Sequence, residues 1–471
     1  MGVELFTHQR KGIERALAKK RLLLIRPLGS GKTAIGLHIA ARLLKEPGSV
    51  VLWVAPAHLL PQLLQEQERW SVDYPVEIVQ KVPPAVIPGT LYAMSYDRLR
   101  LSRSWVEQQK WKCLIVDEVH HAKNLKTQNH VVLKKLSSSS EFFIGMTGAP
   151  FQNSPFEFFN LVALIAGRPL QKPLEACLAY KYERKYPFWL RWIRALFRLR
   201  PHRGPVSGIR DPIRLTSLLL PYVDYVSDQQ CAGECGLPKI ISQTIQVEMT
   251  PYEVKVYRRL ASKHRKKIDR QFLTDDLEEN CVERAFHRVA DLRQTLLETL
   301  EGPSSKVKAL VEHVQKIIDK QINPKVLIFT NFVEHGVLPI SRCLEARCLP
   351  HVVYTGEVNV ESKVKIIETF KTGQTPILLL SPVGFEGLDL VGTTRLFIAD
   401  PHYNPEVTSQ LIARATRAGG TIKEVYVFHY VSCSRHLEKG TIDEAIQRIA
   451  GRKAEVNRKI QALLESSGES I

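Results

Sequence analysis

The chain has 471 residues, 44% of them hydrophobic, more than one compact core organises and enough for two domains. Against 48 acidic residues stand 66 Lys and Arg, a formal net charge of +18, which favours a polyanionic partner, nucleic acid before membrane. The sequence holds no uninterrupted apolar run of about 18 residues, so a transmembrane helix is not expected.

Met1-Gly2-Val3-Glu4-Leu5 lacks the charged-then-apolar layout of a secretory signal, and Phe6 stands where a myristoylation motif needs Ser or Thr. The eight cysteines are scattered. Cys231 and Cys235 form the closest pair, without a second pair at zinc-finger spacing, so reduced thiols in an intracellular compartment are expected (nucleus, cytoplasm or viral factory).

In chain order, helical and apolar-strand patterns alternate from Leu5 to about Ala166, with apolar runs at Leu22–Ile25, Val50–Ala55, Leu114–Val116 and Phe142–Gly145. A second alternating block starts near Lys306, with runs at Val326–Phe329, Val352–Tyr354, Ile377–Leu380, Leu396–Ile398 and Val425–Tyr430. Such alternation predicts parallel sheets covered by helices on both faces, one per block.

The stretch between the blocks differs. Residues 168–210 hold eleven Lys or Arg against two Glu, interleaved with Tyr180, Tyr182, Tyr186, Phe188, Trp189, Trp192 and Phe197. A nucleic-acid surface and an inserted helix with a buried aromatic stripe both satisfy this composition. The run Lys263-His264-Arg265-Lys266-Lys267, in a helical stretch, reads as a solvated face.

Two segments carry chemistry. Gly29-Ser30-Gly31-Lys32-Thr33 follows the strand Leu22–Ile25 and opens a helix over Ala34–Leu44. A Gly-rich turn lets backbone N–H groups approach phosphates at the positive end of a helix. Lys32 would neutralise β- and γ-phosphate charge and the Thr33 hydroxyl would ligate magnesium. The full P-loop pattern has Gly where this chain has Arg26. The second segment, Asp117-Glu118-Val119-His120-His121, ends the apolar strand Cys113–Val116. Asp117 is placed to hold Mg2+ and Glu118 to orient and deprotonate an attacking water. Adjacent histidines point apart, so coupling between nucleotide and polynucleotide sites is the better role for His120 than metal ligation.

These residues resemble helicase superfamily two, specifically its Swi/Snf-type (Snf-family) DNA-dependent ATPases in their compact form. The resemblance runs from Leu5 to about Leu464. Asp117-Glu118-Val119-His120 is followed by Ala122-Lys123-Asn124, and Thr147-Gly148-Ala149-Pro150-Phe151-Gln152-Asn153 is similar to the family's motif III. Motif V is resembled by Ser381–Leu390 and motif VI by Gln410-Leu411-Ile412-Ala413-Arg414-Ala415-Thr416-Arg417. The family's Leu-Arg-Arg-Thr stretch is replaced here by Leu220-Pro221-Tyr222-Val223-Asp224-Tyr225.

The resemblance implies an α/β fold of two tandem RecA-like parallel-sheet lobes, with helical insertions between them and a C-terminal brace helix. The expected divisions are 1–166, 167–303, 304–435 and 436–471. It implies catalysis by Lys32, Asp117, Glu118, Gln410, Arg414 and Arg417, the two arginines reaching the γ-phosphate when the lobes close. ATP would be bound by Gln9, Gly29, Ser30, Gly31, Lys32, Thr33, Gly387 and Asp389, and magnesium by Thr33 and Asp117. Nucleic-acid contacts are expected at Pro56, Ser95, Thr147, Asn331 and Ser381. The implied partner is double-stranded DNA, beside protein partners in transcription, replication or repair, with the motor a monomer. A strand-separating DNA or RNA helicase, and an ATPase subunit of a transcription-termination complex, are the alternatives.

Overall fold

Strands with apolar residues on both faces dictate a layered architecture. In β1 (Arg21–Ile25), Leu23 and Ile25 join a cluster with Leu52, Val54, Leu114 and Val116, whereas Leu22 and Leu24 face Val51, Trp53, Cys113 and Ile115. Side chains alternate along a strand, so such a strand must be covered on both sides. The computed structural model describes residues 4–468 apart from 28, 83–84, 149, 151–153, 181–205, 237, 272–289, 322–323, 357, 359, 374, 383–389, 391, 403–404, 416–421 and 439.

Besides β1, the first lobe contains β2 (Val51–Ala55), β3 (Val76–Ile78), β4 (Leu91–Ser95), β5 (Cys113–Val116) and β6 (Phe142–Thr147). A small antiparallel pair, β7 (Leu178–Tyr180) and β8 (Val206–Ile209), precedes β9 (Val223–Tyr225). The main sheet is parallel, in the order β3-β4-β2-β5-β6-β1-β9.

In the second lobe, β10 (Lys239–Glu248) starts the chain order and β11 (Glu298–Thr299) pairs with β12 (Gly302–Pro303) as a short hairpin. The lobe continues through β13 (Val326–Phe329), β14 (His351–Tyr354), β15 (Ile377–Leu380), β16 (Arg395–Ile398) and β17 (Glu424–Cys433). This sheet is also parallel, ordered β10-β17-β16-β13-β15-β14. The α/β class with two parallel-sheet lobes is therefore what the structure shows. Among the described residues no helix is long and apolar enough to cross a membrane.

Described strands of the stretch 167–303 join both sheets. β9 extends the first sheet beside β1, and β10 extends the second beside β17 across ten residue pairs. Neither strand stood out in the sequence, β9 being three residues long and β10 alternating Ile and Val with polar residues on an exposed edge. The basic–aromatic residues 181–205, and the side chains of 264–267, lie outside the described residues; Tyr180 stacks on Phe156 at 6.5 Å.

The helix Ile442–Gly468 spans both lobes. Its start is fixed by a capping box, with Glu444 N–H donating to Thr441 Oγ1 (3.2 Å) and Thr441 N–H to Glu444 Oε2 (2.7 Å). Its first turn packs Ile442, Ala445 and Ile446 on Met249, Val254 and Tyr257, while Val456, Ile460 and Leu464 enter the first lobe's core. Lys306 Nζ donates to Asp443 Oδ2 at 2.7 Å with both side chains fully buried, pinning that start to the second lobe.

What holds β9 in the first sheet is charge. Asp224 is 4% exposed and Arg26 1% exposed, and their carboxylate and guanidinium pair directly. Arg26 Nη1 also donates to the Asp224 carbonyl at 2.8 Å, and Arg15 Nη1 to Asp224 Oδ1 at 2.7 Å. Deleting one partner of a buried pair strands the other charge away from water. Asp224→Ala is therefore expected to lower stability by about 3–5 kcal/mol in urea unfolding; a change within about 0.5 kcal/mol, typical of neutral surface substitutions, would show the pair to be dispensable.

Candidate active site

In a parallel sheet, ligand sites gather beyond the carboxyl ends of the strands. β6 lies between β1 and β5, so the turn after β1, the end of β6 and the turn after β5 are neighbours. Those three places carry Gly29–Thr33, Thr147, and Asp117 with Glu118.

The first turn depends on glycine. Gly29 and Gly31 have φ of 82° and 79°, and a Cβ on Gly31 would lie 2.3 Å from Gln9 Nε2. Ser30 Oγ donates to the Pro27 carbonyl at 2.7 Å. Gln9 accepts from Phe6 N–H through Oε1 (2.9 Å) and donates to the Ser30 carbonyl through Nε2 (3.0 Å). The residue expected to read adenine thus also splints the first helix to the phosphate loop. His8 adds a second splint, with Nε2 3.2 Å from the Ser30 carbonyl and Nδ1 2.9 Å from Glu234 Oε2. Lys32 opens the helix Lys32–Leu43, and its Nζ donates to the carbonyls of Arg26 (3.3 Å) and Pro27 (3.2 Å). Thr33, on the same first turn, is half-buried.

Arg26 occupies the irregular position of the glycine-rich motif, and its guanidinium is committed to Asp224. The departure at 220–225 and the departure at Arg26 thus meet in one ion pair. Sequence reading missed this because nothing local links two residues so far apart.

The acidic turn is built under strain. Glu118 adopts the left-handed conformation, φ 47° and ψ 51°, which side chains with a Cβ disfavour. Asp117 is 6% exposed, its backbone N–H donating to the Val54 carbonyl at 2.7 Å and its Oδ1 accepting from Glu118 N–H at 3.0 Å. Burial, then the charge of Glu118, pushes the Asp117 carboxyl up to about 7, with the Lys32 ammonium opposing. Burial also pushes Glu118 up, but the His120 hydrogen bond and the charge of Lys32 outweigh it and hold Glu118 below the usual carboxylate range. The pair therefore favours one ionised and one protonatable carboxyl beside a cation.

Around Glu118 lies a small polar network. His120 Nδ1 is 3.2 Å from Glu118 Oε2 and 3.1 Å from Thr147 Oγ1. His120 and His121, expected to point apart, stack instead with centroids 4.7 Å apart, and burial, then the His120 charge, lowers the His121 pKa to about 4. Tyr96, buried against this turn, donates to the Asp117 carbonyl (2.9 Å) and lies 3.1 Å from the Glu118 carbonyl.

The second-lobe candidates are placed less completely. Gln410 and Arg414 stand on the helix Pro405–Ala415, and the Arg414 carbonyl accepts from Leu390 N–H at 3.1 Å. Gly387, Asp389 and Arg417 lie outside the described residues.

Of the expected nucleic-acid contacts, Pro56 and Ser95 follow or end β2 and β4 and are half-buried, and Ser95 Oγ caps the next helix by accepting from Arg98 N–H (3.1 Å). Thr147 and Ser381 are 0% and 1% exposed, each with its side chain turned inward at a strand end. Thr147 contacts the Glu118–His120 network. Asn331 is also turned inward, its Nδ2 donating to Asp400 Oδ2 at 2.6 Å. Asp400 in turn accepts from Thr330 Oγ1 (2.8 Å) and Arg293 Nη2 (3.0 Å).

The raised carboxyl has a consequence for stability. The folded state retains a proton on Asp117 that the unfolded chain loses at about pH 4, so stability falls as pH rises from there to about 7. With EDTA and no nucleotide, Asp117→Asn is expected to melt higher than the parent above pH 7 and to match it near pH 4. A constant difference across that range in thermal unfolding would refute this.

Comparison with known proteins follows the same architecture. The model of the SNF2-related domain matches residues 84–299, the helicase conserved C-terminal domain 305–419, and the res subunit of type III restriction enzymes 2–152. The chain is 23% identical to the "Probable global transactivator" of Orgyia pseudotsugata multicapsid polyhedrosis virus, over 91% of this chain and 86% of that protein. It is 24% identical to the DNA repair and recombination protein RAD54-like of Mus musculus over 95% of this chain, and spans 65% of that relative's length. The helicase domain of Hef from Pyrococcus furiosus superimposes with a TM-score of 0.56 at 15% identity, covering 94% of this chain and 98% of that one.

Proposed function

The chain belongs to the SNF2-related ATPases of helicase superfamily two, and on that premise we propose that it is an ATP-driven motor that translocates on duplex DNA and remodels DNA or protein–DNA complexes. The observation that carries the reading is the grouping of Lys32, Asp117 and Glu118 at the carboxyl ends of β1 and β5, close enough for the ammonium to act on both carboxyls.

The backbone N–H groups of Gly29–Thr33 would cradle the phosphates while Lys32 exchanges the carbonyls of Arg26 and Pro27 for phosphate oxygens. Glu118, held ionised, would orient the attacking water and take its proton. His120 and Thr147 both contact the Glu118 carboxylate and would restrain it. From the second lobe, Gln410, Arg414 and Arg417 would complete the site on closure, stabilising charge on the transferred phosphoryl group. Gln9 would read the adenine, with Gly387 and Asp389 contributing from the second lobe.

Magnesium fits this donor set. Asp117 is a buried carboxyl pushed up beside a second acid, a place that a divalent cation relieves. Thr33 and Asp117 would hold the ion, with water and substrate phosphates completing its oxygen ligands. The bound ion supplies charge neutralisation on the phosphate oxygens.

Closure and opening of the lobes would alternate their grip on the DNA backbone, with the net charge of +18 supplying sequence-independent attraction. ATP hydrolysis measured in parallel with duplex DNA, single-stranded DNA and RNA is expected to rise most with duplex DNA and to lose that stimulation as salt increases. Lys32→Ala and Glu118→Gln are each expected to lower the stimulated rate by about 100-fold or more. Equal stimulation by RNA would overturn the DNA assignment, and normal turnover by Glu118→Gln would overturn the assigned base.

A further inference from the structure

We propose that Tyr96 is a positioning residue that sets the Glu118 carboxylate and links its placement to the basic turn at residues 95–103; the proposal rests on the reading of the chain as a DNA-stimulated ATPase. Tyr96 immediately follows β4, and Ser95 before it caps the helix Tyr96–Leu101. The phenol crosses under the acidic turn and meets two consecutive carbonyls, those of Asp117 and Glu118, at 2.9 and 3.1 Å.

Those carbonyls flank the residue whose φ is 47°. A backbone in the left-handed region persists where its surroundings hold it, and here the phenol is one such restraint. The ring side matters too. Tyr96 lies 5.1 Å, centroid to centroid, from His121, which stacks on His120, the residue whose Nδ1 touches the Glu118 carboxylate. Tyr96 therefore reaches Glu118 by two routes, through its hydroxyl to the backbone and through its ring to the side chain.

On the other side of Tyr96 the chain turns basic. Arg98 is half-buried, while Arg100 and Arg103 are exposed and pair with nearby Asp97 and Glu107. A polyanion competing for those arginines would act on the short helix that Tyr96 begins. Because the phenol ties that helix start to the acidic turn, a shift of the helix is passed to the catalytic carboxylate without any movement of the phosphate loop.

Tyr96→Phe retains the ring and removes the hydroxyl. With saturating duplex DNA it is expected to lose at least tenfold in kcat, while the KM for ATP changes by less than twofold. The ratio of DNA-stimulated to unstimulated rate is expected to fall as well, with duplex binding by fluorescence anisotropy within twofold of the parent. An unchanged ratio, whether through no effect or through an equal fall in both rates, would overturn the proposal. The parent protein run alongside separates the two readings: absence of DNA stimulation in the parent refutes the motor assignment, whereas stimulation retained equally in Tyr96→Phe refutes only the role of Tyr96.

Discussion

The buried pairing of Arg26 with Asp224 is the constraint on which the arrangement depends. It ends β1 on one side and fixes β9 on the other, so the strand that feeds the phosphate loop and the strand that leads out of the first lobe are bound together. An ion pair this far from water offers little net stability over an apolar pair of the same shape. It offers direction. Arg26 cannot move without exposing Asp224, and the loop carbonyls that hold Lys32 begin at Arg26 itself.

From that point the connection to the second lobe is short. Helix Asp228–Cys235 follows β9, and its Glu234 holds His8, which in turn lies against the Ser30 carbonyl. β10 then joins the second sheet at Lys239. The phosphate loop is thus tied by polar contacts to the segment that crosses between the sheets, while the helix Ile442–Gly468 ties the lobes a second time through apolar packing. One link is directional and the other is not.

Much of this was legible in the sequence, for reasons that differ by element. Continuous apolar runs such as Leu22–Ile25 and Val326–Phe329 became strands because a parallel strand buried on both faces tolerates little else. Lys32 and Asp117 were legible because a strand followed by a glycine turn or an acidic pair leaves few other structures open. β9 and β10 were not, since β9 is too short to show a period and β10 alternates on an open edge. The burial of Thr147 and Ser381 was not legible in the motifs they sit in. Whether a side chain at a strand end turns in or out depends on a period of two counted from the core, which the motif alone does not give. Asp224 and Tyr96 were invisible for a deeper reason: their partners are distant in sequence and their contacts include backbone carbonyls, which carry no residue identity.

The small ladder between β7 and β8 has a consequence of another kind. Leu178 sits opposite Ile209 and Tyr180 opposite Val206, so the two described backbone ends that flank residues 181–205 are neighbours. Between ends held side by side, added length raises the closure cost only logarithmically. The ladder therefore works as a clasp that lets the first lobe keep its sheet whatever the number of residues strung between its two sides.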